Sequence, residues 1–374
     1  MAKQVMLAVA GAGKTYYICD FLQLEKKNLI LAYTHENIKN IQKELIMKYG
    51  YVPELTNVMT FDSFIYRFLL CPYEPSILKY FGREDFKRKG ITTQDPPVRV
   101  LSEGKGKYIP NPKYISKDKF EHYINNKGYY YCSTLTELIM FVKQNRVALI
   151  RKASKSIKKF YDNIFIDEFQ DFREHDYELI IALAKNVDNI LMVGDYYQHS
   201  VSAVNNTGKP FKNRDNDISY TKFKQNLIDC GLKVDDVTLK NSRRCCPQVC
   251  DFVKEKLNIN IESSNEHSGK VLWVEKNIES VLEDDTIIKL IYNNAETYTF
   301  RAINWSYSKG DTMDAVCVIL TRDFEFLDKH NFSLNGISSS TVNRLYVAMT
   351  RTKGDLYLLK GSLFKSIKGK YRVG

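Results

Sequence analysis

Apolar and polar residues follow two different periods along the first seventy positions. Largely apolar runs at residues 5–9, 28–34 and 57–61 are typical of buried strands. After the second run, apolar side chains recur at Ile38, Ile41 and Leu45, as they do on one face of a helix. Strands that alternate with helices of about ten to fifteen residues form parallel sheets. The pattern therefore predicts an α/β fold with a doubly wound parallel sheet.

The alternation weakens after residue 69 and resumes at residue 160. Strands are predicted again at residues 163–166, 189–193 and 236–239, and the Asn-, Asp- and Gly-rich residues 204–220 are predicted to form a long loop. A second αβ pattern follows Arg244. Its predicted helices are residues 249–257, 278–282 and 341–349, and its predicted strands are residues 270–274, 287–291, 298–303, 315–320 and 355–359.

These patterns divide the chain into three parts. Residues 1–69 and 160–243 form a first lobe, residues 70–159 an inserted subdomain, and residues 244–374 a second lobe. The insertion is rich in lysine and proline, holds the run Tyr129-Tyr130-Tyr131, and favours helix near residues 135–142. A small, mainly helical insertion of this composition suits contact with nucleic acid. The alternative, a solvated appendage whose tyrosines pack a small core, is equally compatible with the sequence.

The first predicted strand ends in a glycine-rich turn that opens a helix. Its residues are Ala10, Gly11, Ala12, Gly13, Lys14 and Thr15. Backbone N–H groups of such a turn surround phosphate oxygens, and the helix N-terminus adds a positive dipole. In this context Lys14 supplies a charge to the phosphates and the Thr15 hydroxyl a ligand for Mg²⁺. The sequence therefore predicts a nucleoside triphosphate site in preference to an ordinary strand–turn–helix.

Two carboxylates, Asp167 and Glu168, end the strand at residues 163–166. In phosphate-loop enzymes an aspartate at such a position holds Mg²⁺ together with the loop hydroxyl. The neighbouring Glu168 is placed to orient and deprotonate the attacking water. Two acids at a strand end are often only a helix cap, but the glycine turn upstream favours the catalytic interpretation.

Three further side chains suit a γ-phosphate. Gln198 follows the strand at residues 189–193 and is placed to sense the phosphate. Arg244 follows the last strand of the first lobe, and Arg351 lies late on a helix of the second lobe. Arginines that face a γ-phosphate across a cleft stabilise transition-state charge. Taken singly, each would be interpreted as a surface arginine.

In order and spacing these segments resemble the motifs of superfamily 1 helicases of the UvrD/Rep type. The resemblance covers both lobes and implies two RecA-like P-loop NTPase lobes with ATP and Mg²⁺ between them. The motifs that carry it are Ala10-Gly11-Ala12-Gly13-Lys14-Thr15, Asp167-Glu168-Phe169-Gln170-Asp171, Gly194-Asp195-Tyr196-Tyr197-Gln198, Ser242-Arg243-Arg244-Cys245, Ser306-Tyr307-Ser308-Lys309-Gly310-Asp311-Thr312 and Tyr346-Val347-Ala348-Met349-Thr350-Arg351.

The resemblance also implies roles for individual residues. Arg244 becomes the γ-phosphate arginine, Arg351 the arginine finger, and Gly310 and Thr312 part of the nucleotide surface of the second lobe. Hydroxyls and amides at strand ends suit phosphate contacts, and an aromatic ring there suits stacking on a base; loop residues that merely cap helices are the alternative. The implied contacts to single-stranded DNA are Thr34, His35, Asn37, Thr60, Phe61, Ser63 and Ser306.

Departures from the family pattern indicate a short form. The first strand begins next to the initiator methionine, so the upstream helix whose glutamine reads adenine has no counterpart here. Thr312 stands where the family has a ribose-contacting glutamate. The segment between Arg244 and Ser306 is too short for the large insertion of longer members.

The composition restricts the class of protein and its partners but does not predict a fold. The chain has 374 residues and a formal net charge of +11, which suits a polyanionic partner. No apolar stretch reaches the roughly 18 residues that a membrane span needs. The first predicted strand begins so early that we expect no signal peptide. Eight cysteines, of which only Cys245, Cys246 and Cys250 are close together, favour free thiols in a reducing cytoplasm over a metal site.

The sequence thus predicts a cytoplasmic, Mg²⁺-dependent ATPase that couples hydrolysis to translocation on single-stranded nucleic acid. The resemblance favours DNA over RNA and implies 3′→5′ duplex unwinding. The alternative is a DNA-stimulated regulatory ATPase that controls a partner nuclease in DNA repair or phage defence without unwinding. Either protein would work as a monomer or in a hetero-complex, away from membranes.

Overall fold

The computed structural model describes residues 3–102, 108–142, 146–199, 208–213 and 216–373. Two compact units divide the chain. The first unit comprises Met1–Lys3, Phe21–Asp167 and Phe172–Leu191, and the second comprises Gln4–Asp20, Glu168–Asp171 and Met192–Gly374. The predicted phosphate loop therefore belongs to the same unit as residues 244–374. The lobe boundaries predicted after residues 69, 159 and 243 stay a prediction.

Helices and strands alternate along much of the described chain. The α-helices there are α1 (Lys14–Asp20), α2 (His35–Tyr49), α3 (Phe61–Phe64), α4 (Glu74–Tyr80), α5 (Leu135–Phe141), α6 (Arg146–Phe160), α7 (Glu174–Asn186), α8 (Tyr220–Asp229), α9 (Pro247–Leu257), α10 (Ile278–Glu283), α11 (Ser339–Met349) and α12 (Gly361–Ile367). None of these helices is long and apolar enough to span a bilayer.

The β-strands in the same ranges are β1 (Gln4–Leu7), β2 (Asn28–Ala32), β3 (Thr56–Thr60), β4 (Gly90–Thr92), β5 (Val100–Ser102), β6 (Tyr108–Pro110), β7 (Tyr129–Tyr131), β8 (Asn163–Ile166), β9 (Ile190–Gly194), β10 (Lys212–Asn213), β11 (Asn216–Asp217), β12 (Lys233–Asp235), β13 (Asn241–Ser242), β14 (Glu262–Ser263), β15 (Val271–Trp273), β16 (Ile287–Ile291), β17 (Ala302–Asn304), β18 (Ala315–Ile319) and β19 (Leu356–Leu359).

Parallel strands form the core of the first unit. Strand β2 lies between β3 and β8 and is parallel to both, so Asn28 aligns with Thr56 on one side and Asn163 on the other. Every residue of β2 and β8 is buried. Continuous apolar strands of this kind are typical of parallel sheets covered on both faces. The structure therefore confirms the predicted α/β class with parallel sheets.

The second unit contains a parallel sheet of its own. Its five strands follow the order β15-β19-β18-β16-β17, and every neighbouring pair is parallel. Apolar side chains from several elements pack against it, among them Leu282, Phe300, Cys317 and Leu359. Strand β1, which precedes the glycine turn, pairs in parallel with β12 in the same unit. The carboxyl ends of these strands position the residues of the candidate site.

Aromatic side chains pack together within residues 70–159, the predicted insertion. Tyr130 is fully buried, with its ring centroid 5.6 Å from Phe86 and 6.0 Å from Phe120. Its hydroxyl donates to Glu74 Oε1 at 2.8 Å. A ring enclosed in this way cannot stack on a base, so the packing alternative is correct for Tyr130. Helices α4, α5 and α6 lie at the ends of this segment and four short strands at its middle.

Two strand predictions are wrong in position. Residues 236–239 form a turn, and the strand there is β12, which ends at Asp235. The strand predicted from residue 298 begins only at Ala302, after a short helical turn at Ala295–Thr297. Within the predicted loop 204–220, strands β10 and β11 pair in antiparallel fashion, while residues 204–207, 214 and 215 lie outside the described residues.

Candidate active site

The glycine turn between β1 and α1 has the backbone that a phosphate loop requires. Gly11 and Gly13 have φ values of 74° and 78°, in the left-handed region that glycine enters at little cost. Helix α1 then begins at Lys14, whose side chain is only 9% exposed. Ala10 and Ala12 are buried on either side of Gly11. The predicted order of strand, glycine turn and helix is thus confirmed.

Gly11 packs directly against the first arginine motif. The Arg243 N–H donates to the Gly11 carbonyl oxygen at 2.9 Å. A Cβ atom added to Gly11 would lie 2.6 Å from Ser242 Oγ and 2.7 Å from Arg244 Cβ. Because such distances are shorter than real Cβ contacts, no other residue fits here without displacing Ser242 or Arg244. The structure therefore brings Arg244 to the loop, as the sequence predicts.

Glu168 lies in the same group of residues. Its Oε1 is 3.6 Å from Lys14 Nζ, and it accepts a hydrogen bond from Gln170 Nε2. Burial alone would raise the pKa of Glu168, but the charges of Lys14, Lys309 and Arg351 hold that pKa well below its usual range. The φ of Glu168 is 51°, a left-handed conformation that is strained for a side chain with a Cβ.

Lys309 contributes a cation that the sequence analysis passed over. Its Nζ is 2.5 Å from Asp171 Oδ1, and its charge also acts on Glu168. Burial would lower the pKa of Lys309, but Asp171 and Glu168 raise it. Both partners stand within motifs that the sequence analysis quoted, yet only the fold shows that they meet.

The two predicted arginines lie close to each other. The Arg244 Nε donates to Thr312 Oγ1 at 2.8 Å and its Nη1 to the Thr350 carbonyl at 3.1 Å. Arg351 is 1% exposed and donates from Nε to the Val347 carbonyl at 2.9 Å. Burial, and then the charge of Arg244, lower the pKa of Arg351 to about 9. Two neighbouring guanidinium groups that donate to neutral oxygens favour a bound polyanion between them.

Gln198 points to a buried aspartate. Its Nε2 donates to Asp195 Oδ2 at 2.8 Å, and Gln198 is 3% exposed. Burial raises the pKa of Asp195 to about 6, although Lys14 and hydrogen bonds lower it. The γ-phosphate sensing predicted for Gln198 stays a prediction.

One predicted residue of the loop before β18, Thr312, contacts Arg244. Gly310 has φ 95°, and Thr312 is exposed and accepts the hydrogen bond from Arg244. Ser306 and Tyr307 lie in the helical turn Trp305–Ser308, and the Tyr307 ring is 75% exposed. The second unit thus brings together the loop residues 10–14, Glu168, Arg244, Thr312 and Arg351.

The two predicted Mg²⁺ ligands belong to different units, Asp167 to the first and Thr15 to the second. Asp167 ends β8, is 1% exposed, and donates its N–H to the Leu31 carbonyl at 2.9 Å. Thr15 lies in the first turn of α1. The shared role of Asp167 and Thr15 as Mg²⁺ ligands stays a prediction. In the described residues no group of three His, Cys, Asp or Glu side chains could hold a metal by itself, and the eight cysteines are free thiols.

The predicted DNA contacts in the first unit cap helices. Thr34 Oγ1 accepts from the Asn37 N–H at 3.1 Å at the start of α2, where His35 is exposed. Thr60 Oγ1 accepts from the Ser63 N–H at 3.3 Å at the start of α3. The hydroxyls of Thr34 and Thr60 therefore cap helices, as the alternative predicts. Contact with DNA at Thr34, His35, Asn37, Thr60, Ser63 and Ser306 stays a prediction.

Phe61 does not suit the stacking role. It is 1% exposed, and its ring centroid is 4.9 Å from Phe172 and 6.2 Å from Phe64. An aromatic residue at the start of a helix was expected to present its ring to a base. Instead the ring fills the core of the first unit.

Comparison with known proteins agrees with this arrangement. The family model described as the UvrD/REP helicase N-terminal domain matches residues 100–200, which include Asp167, Glu168 and Gln198. The putative ATP-dependent DNA helicase YjcD of Bacillus subtilis (strain 168) is 24% identical over 227 residues, which cover 51% of this chain and 30% of YjcD. These two matches support a likeness to UvrD-like superfamily 1 helicases. A putative ankyrin repeat protein of Rickettsia bellii (strain RML369-C) is 29% identical over 162 residues, 42% of this chain and 21% of that protein.

The chain covers less than a third of the length of either relative. Among solved structures, an Arterivirus nonstructural protein 10 helicase in complex with DNA aligns with a TM-score of 0.45 and 14% identity, over 95% of this chain and 60% of that one. A PRRSV helicase aligns with the same TM-score and identity, over 99% of this chain and 54% of its own.

Proposed function

We propose that this UvrD/Rep-like chain is a Mg²⁺-dependent ATPase that moves along single-stranded DNA in the 3′→5′ direction and unwinds duplex DNA. In this proposal residues 1–69 with 160–243 and residues 244–374 are two RecA-like lobes. They close and open around ATP in the cytoplasm. The separate parallel sheet of β15 to β19 supports a second lobe with a core of its own.

The charge distribution around Glu168 carries the proposal. Lys14, Lys309 and Arg351 all act on this one carboxylate, and Arg244 lies beside Arg351. Four cations that converge on a glycine turn with left-handed backbone fit the β- and γ-phosphates of a nucleoside triphosphate. In a merely structural ion-pair cluster the two guanidinium groups would donate to carboxylates. Here the two guanidinium groups donate instead to neutral oxygens of Thr312, Thr350 and Val347.

Each residue then has a chemical task. Lys14 and the N–H groups of the loop bind the phosphates, and Glu168 takes a proton from the water whose oxygen attacks the γ-phosphorus. The bond from that phosphorus to the bridging oxygen breaks, and Arg244 and Arg351 stabilise the charge that develops. Thr15 and Asp167 would hold Mg²⁺, which when bound neutralises phosphate charge. Gln198 would report the presence of the γ-phosphate.

DNA would contact the hydroxyl and amide groups of Thr34, Asn37, Ser63 and Ser306. Because Phe61 is enclosed in the core, we place the stacking contact at Tyr307. Its ring is 75% exposed and adjoins Ser306. Base stacking on an exposed aromatic ring contributes about 1–3 kcal/mol per base and tolerates any sequence.

Glu168→Gln tests the catalytic assignment. Losing the base should lower the turnover number of ATP hydrolysis roughly 100-fold or more, while nucleotide binding is retained. Glu174→Gln is the matched control, because Glu174 also has a left-handed backbone, with φ 43°, and has no place in the proposed site. Both variants and the parent chain would be assayed with and without single-stranded DNA and RNA. Equal turnover in Glu168→Gln and the parent would contradict the assignment.

Strand displacement tests the motor. The purified chain should unwind a short duplex with a 3′ tail and leave one with a 5′ tail intact. Hydrolysis that DNA stimulates without displacement of either duplex would favour the regulatory ATPase that controls a nuclease. Stimulation by RNA alone would contradict the choice of DNA.

A further inference from the structure

One phenol lies where three parts of the site meet. Tyr346, on helix α11, is fully buried. Its Oη accepts a hydrogen bond from the Ala10 N–H at 2.7 Å and donates to Asp195 Oδ2 at 3.1 Å. The same aspartate oxygen accepts from Gln198 Nε2 at 2.8 Å. A single hydroxyl therefore joins the glycine turn, the Asp195–Gln198 pair and α11.

The contacts continue on both sides of Tyr346. The Asp195 N–H donates to Gln170 Oε1 at 2.9 Å, and Gln170 Nε2 donates to Glu168. On the other side, the Thr350 hydroxyl donates to the Tyr346 carbonyl at 2.7 Å, one residue before Arg351. A continuous path of hydrogen bonds thus runs from Glu168 to the residue next to the predicted arginine finger.

We propose that Tyr346 is a positioning residue that fixes α11, and with it Arg351, in register with the phosphate loop and the Asp195–Gln198 pair. This inference rests on the proposed function and deepens it. Tyr346 touches neither the phosphates nor the attacking water. Through its hydroxyl, the position of Arg351 depends on the same loop that binds the phosphates.

The hydroxyl rather than the ring carries this task. Neighbouring residues Leu345, Val347, Ala348 and Met349 are fully buried, so apolar packing of α11 survives the loss of one oxygen atom. Without that oxygen, however, a buried N–H at Ala10 and a buried oxygen of Asp195 each lose a partner. A helix held only by apolar contacts can shift along its neighbours, and small displacements at a reaction centre are costly to rate.

Tyr346→Phe is the decisive variant, with Tyr371→Phe as its matched control. Tyr371 is 8% exposed and donates its hydroxyl to Glu283 Oε1 at 2.9 Å, within the same unit and outside the site. Both changes remove one phenol–carboxylate hydrogen bond; that of Tyr371 is partly exposed, and Tyr346 also loses its bond from the Ala10 N–H. In Tyr346→Phe we expect the turnover number of DNA-stimulated ATP hydrolysis to fall roughly 10- to 100-fold, with KM for ATP within about threefold of the parent. In Tyr371→Phe both constants should match the parent, with a smaller loss of melting temperature.

An unchanged turnover number in Tyr346→Phe would overturn the inference, as would equal losses in the two variants. A double-mutant cycle of Tyr346→Phe with Asp195→Asn, read from unfolding free energies, needs no turnover. Additive effects would show that the two groups do not act together and would also overturn it. If the parent chain hydrolysed no nucleotide, the proposed function would fail, while the cycle would still decide whether Tyr346 and Asp195 are coupled.

Discussion

At the scale of single residues, neighbouring cations keep the buried Glu168 ionised. Burial works against its ionisation, and the cations of Lys14, Lys309 and Arg351 more than compensate. The folded-state pKa is therefore below the unfolded value of about 4.3. A carboxylate with a lowered pKa stabilises the fold above its unfolded pKa, and that contribution is lost as the pH falls through the folded pKa. A general base of this kind is ionised throughout the neutral range.

Lys309→Met tests this electrostatic support. Removing the cation should raise the pKa of Glu168, so the acid side of the pH profile of ATP turnover should move to higher pH. It should also cost about 3–5 kcal/mol of unfolding free energy, because the largely buried Asp171 would lose the cation with which it forms an ion pair. Turnover measured across pH, together with urea denaturation, would check both effects.

The double variant Lys309→Met with Asp171→Asn separates the two effects. It removes both charges of the ion pair, so stability should largely recover while the shift of the acid side persists. A pH profile that returned to that of the parent would mean that Lys309 acts through folding alone.

Local sequence predicts side chains whose partners are near in the chain, and it misses those whose partners are distant. The glycine turn, Lys14 and Glu168 were recognisable because strand, turn and helix follow one another directly. Lys309 and Asp171 are separated by 138 positions, and the bond between Ala10 and Tyr346 spans 336. In neither pair do the residue types or their spacing in the sequence predict the contact. Phe61 was misjudged because an apolar ring at a strand end suits either a base or a core.

At the scale of elements, the glycine turn packs so closely against Ser242 and Arg244, at the end of strand β13, that no side chain fits at Gly11. Gly11 allows Ser242 and Arg244 to approach the loop backbone, so its missing side chain sets the position of an arginine. The turn thus serves two purposes: a left-handed bend that exposes N–H groups, and a surface against which the next motif packs.

Gly11→Ala should therefore do more than strain the backbone. We expect nucleotide affinity to fall at least about tenfold and turnover to fall further, because Arg244 must move away from the new methyl group. Gly50→Ala is the control: Gly50 has φ 82° and open space where its Cβ would lie, so it should lose only about 1–2 kcal/mol of stability from the left-handed backbone. Nucleotide titration and denaturation would measure these quantities, and equal affinities in the two variants would refute the steric explanation.

Strand prediction succeeded where burial was continuous and failed where a polar side chain redirected the backbone. The predicted strand at residues 287–291 coincides with β16, all of which is buried. At residues 236–239, by contrast, the apolar residues Val237 and Leu239 suggest a strand. Asp235 Oδ1 accepts from the N–H groups of Val237 at 3.0 Å and Thr238 at 2.9 Å and closes a turn instead.

At the scale of the whole molecule, the net charge of +11 suits a polyanion that exchanges its counterions for lysine and arginine. We therefore expect the DNA concentration that gives half-maximal ATPase stimulation to rise at least about tenfold between 50 and 200 mM salt. The log–log slope would report the number of phosphates contacted. Hydrolysis without DNA, measured at the same salt concentrations, is the control. A flat response would argue against a backbone-contacting surface.

The left-handed backbone of Glu168 has an evolutionary consequence. If hydrolysis requires a carboxylate there, the fold gives up about 1–2 kcal/mol that a glycine would not lose. Homologues that do not need to hydrolyse ATP would be expected to have glycine or asparagine at this position and a more stable fold. Among homologues, the residue that aligns with Glu168 would then distinguish proteins that hydrolyse ATP from those that have lost the activity, even where the glycine turn is preserved.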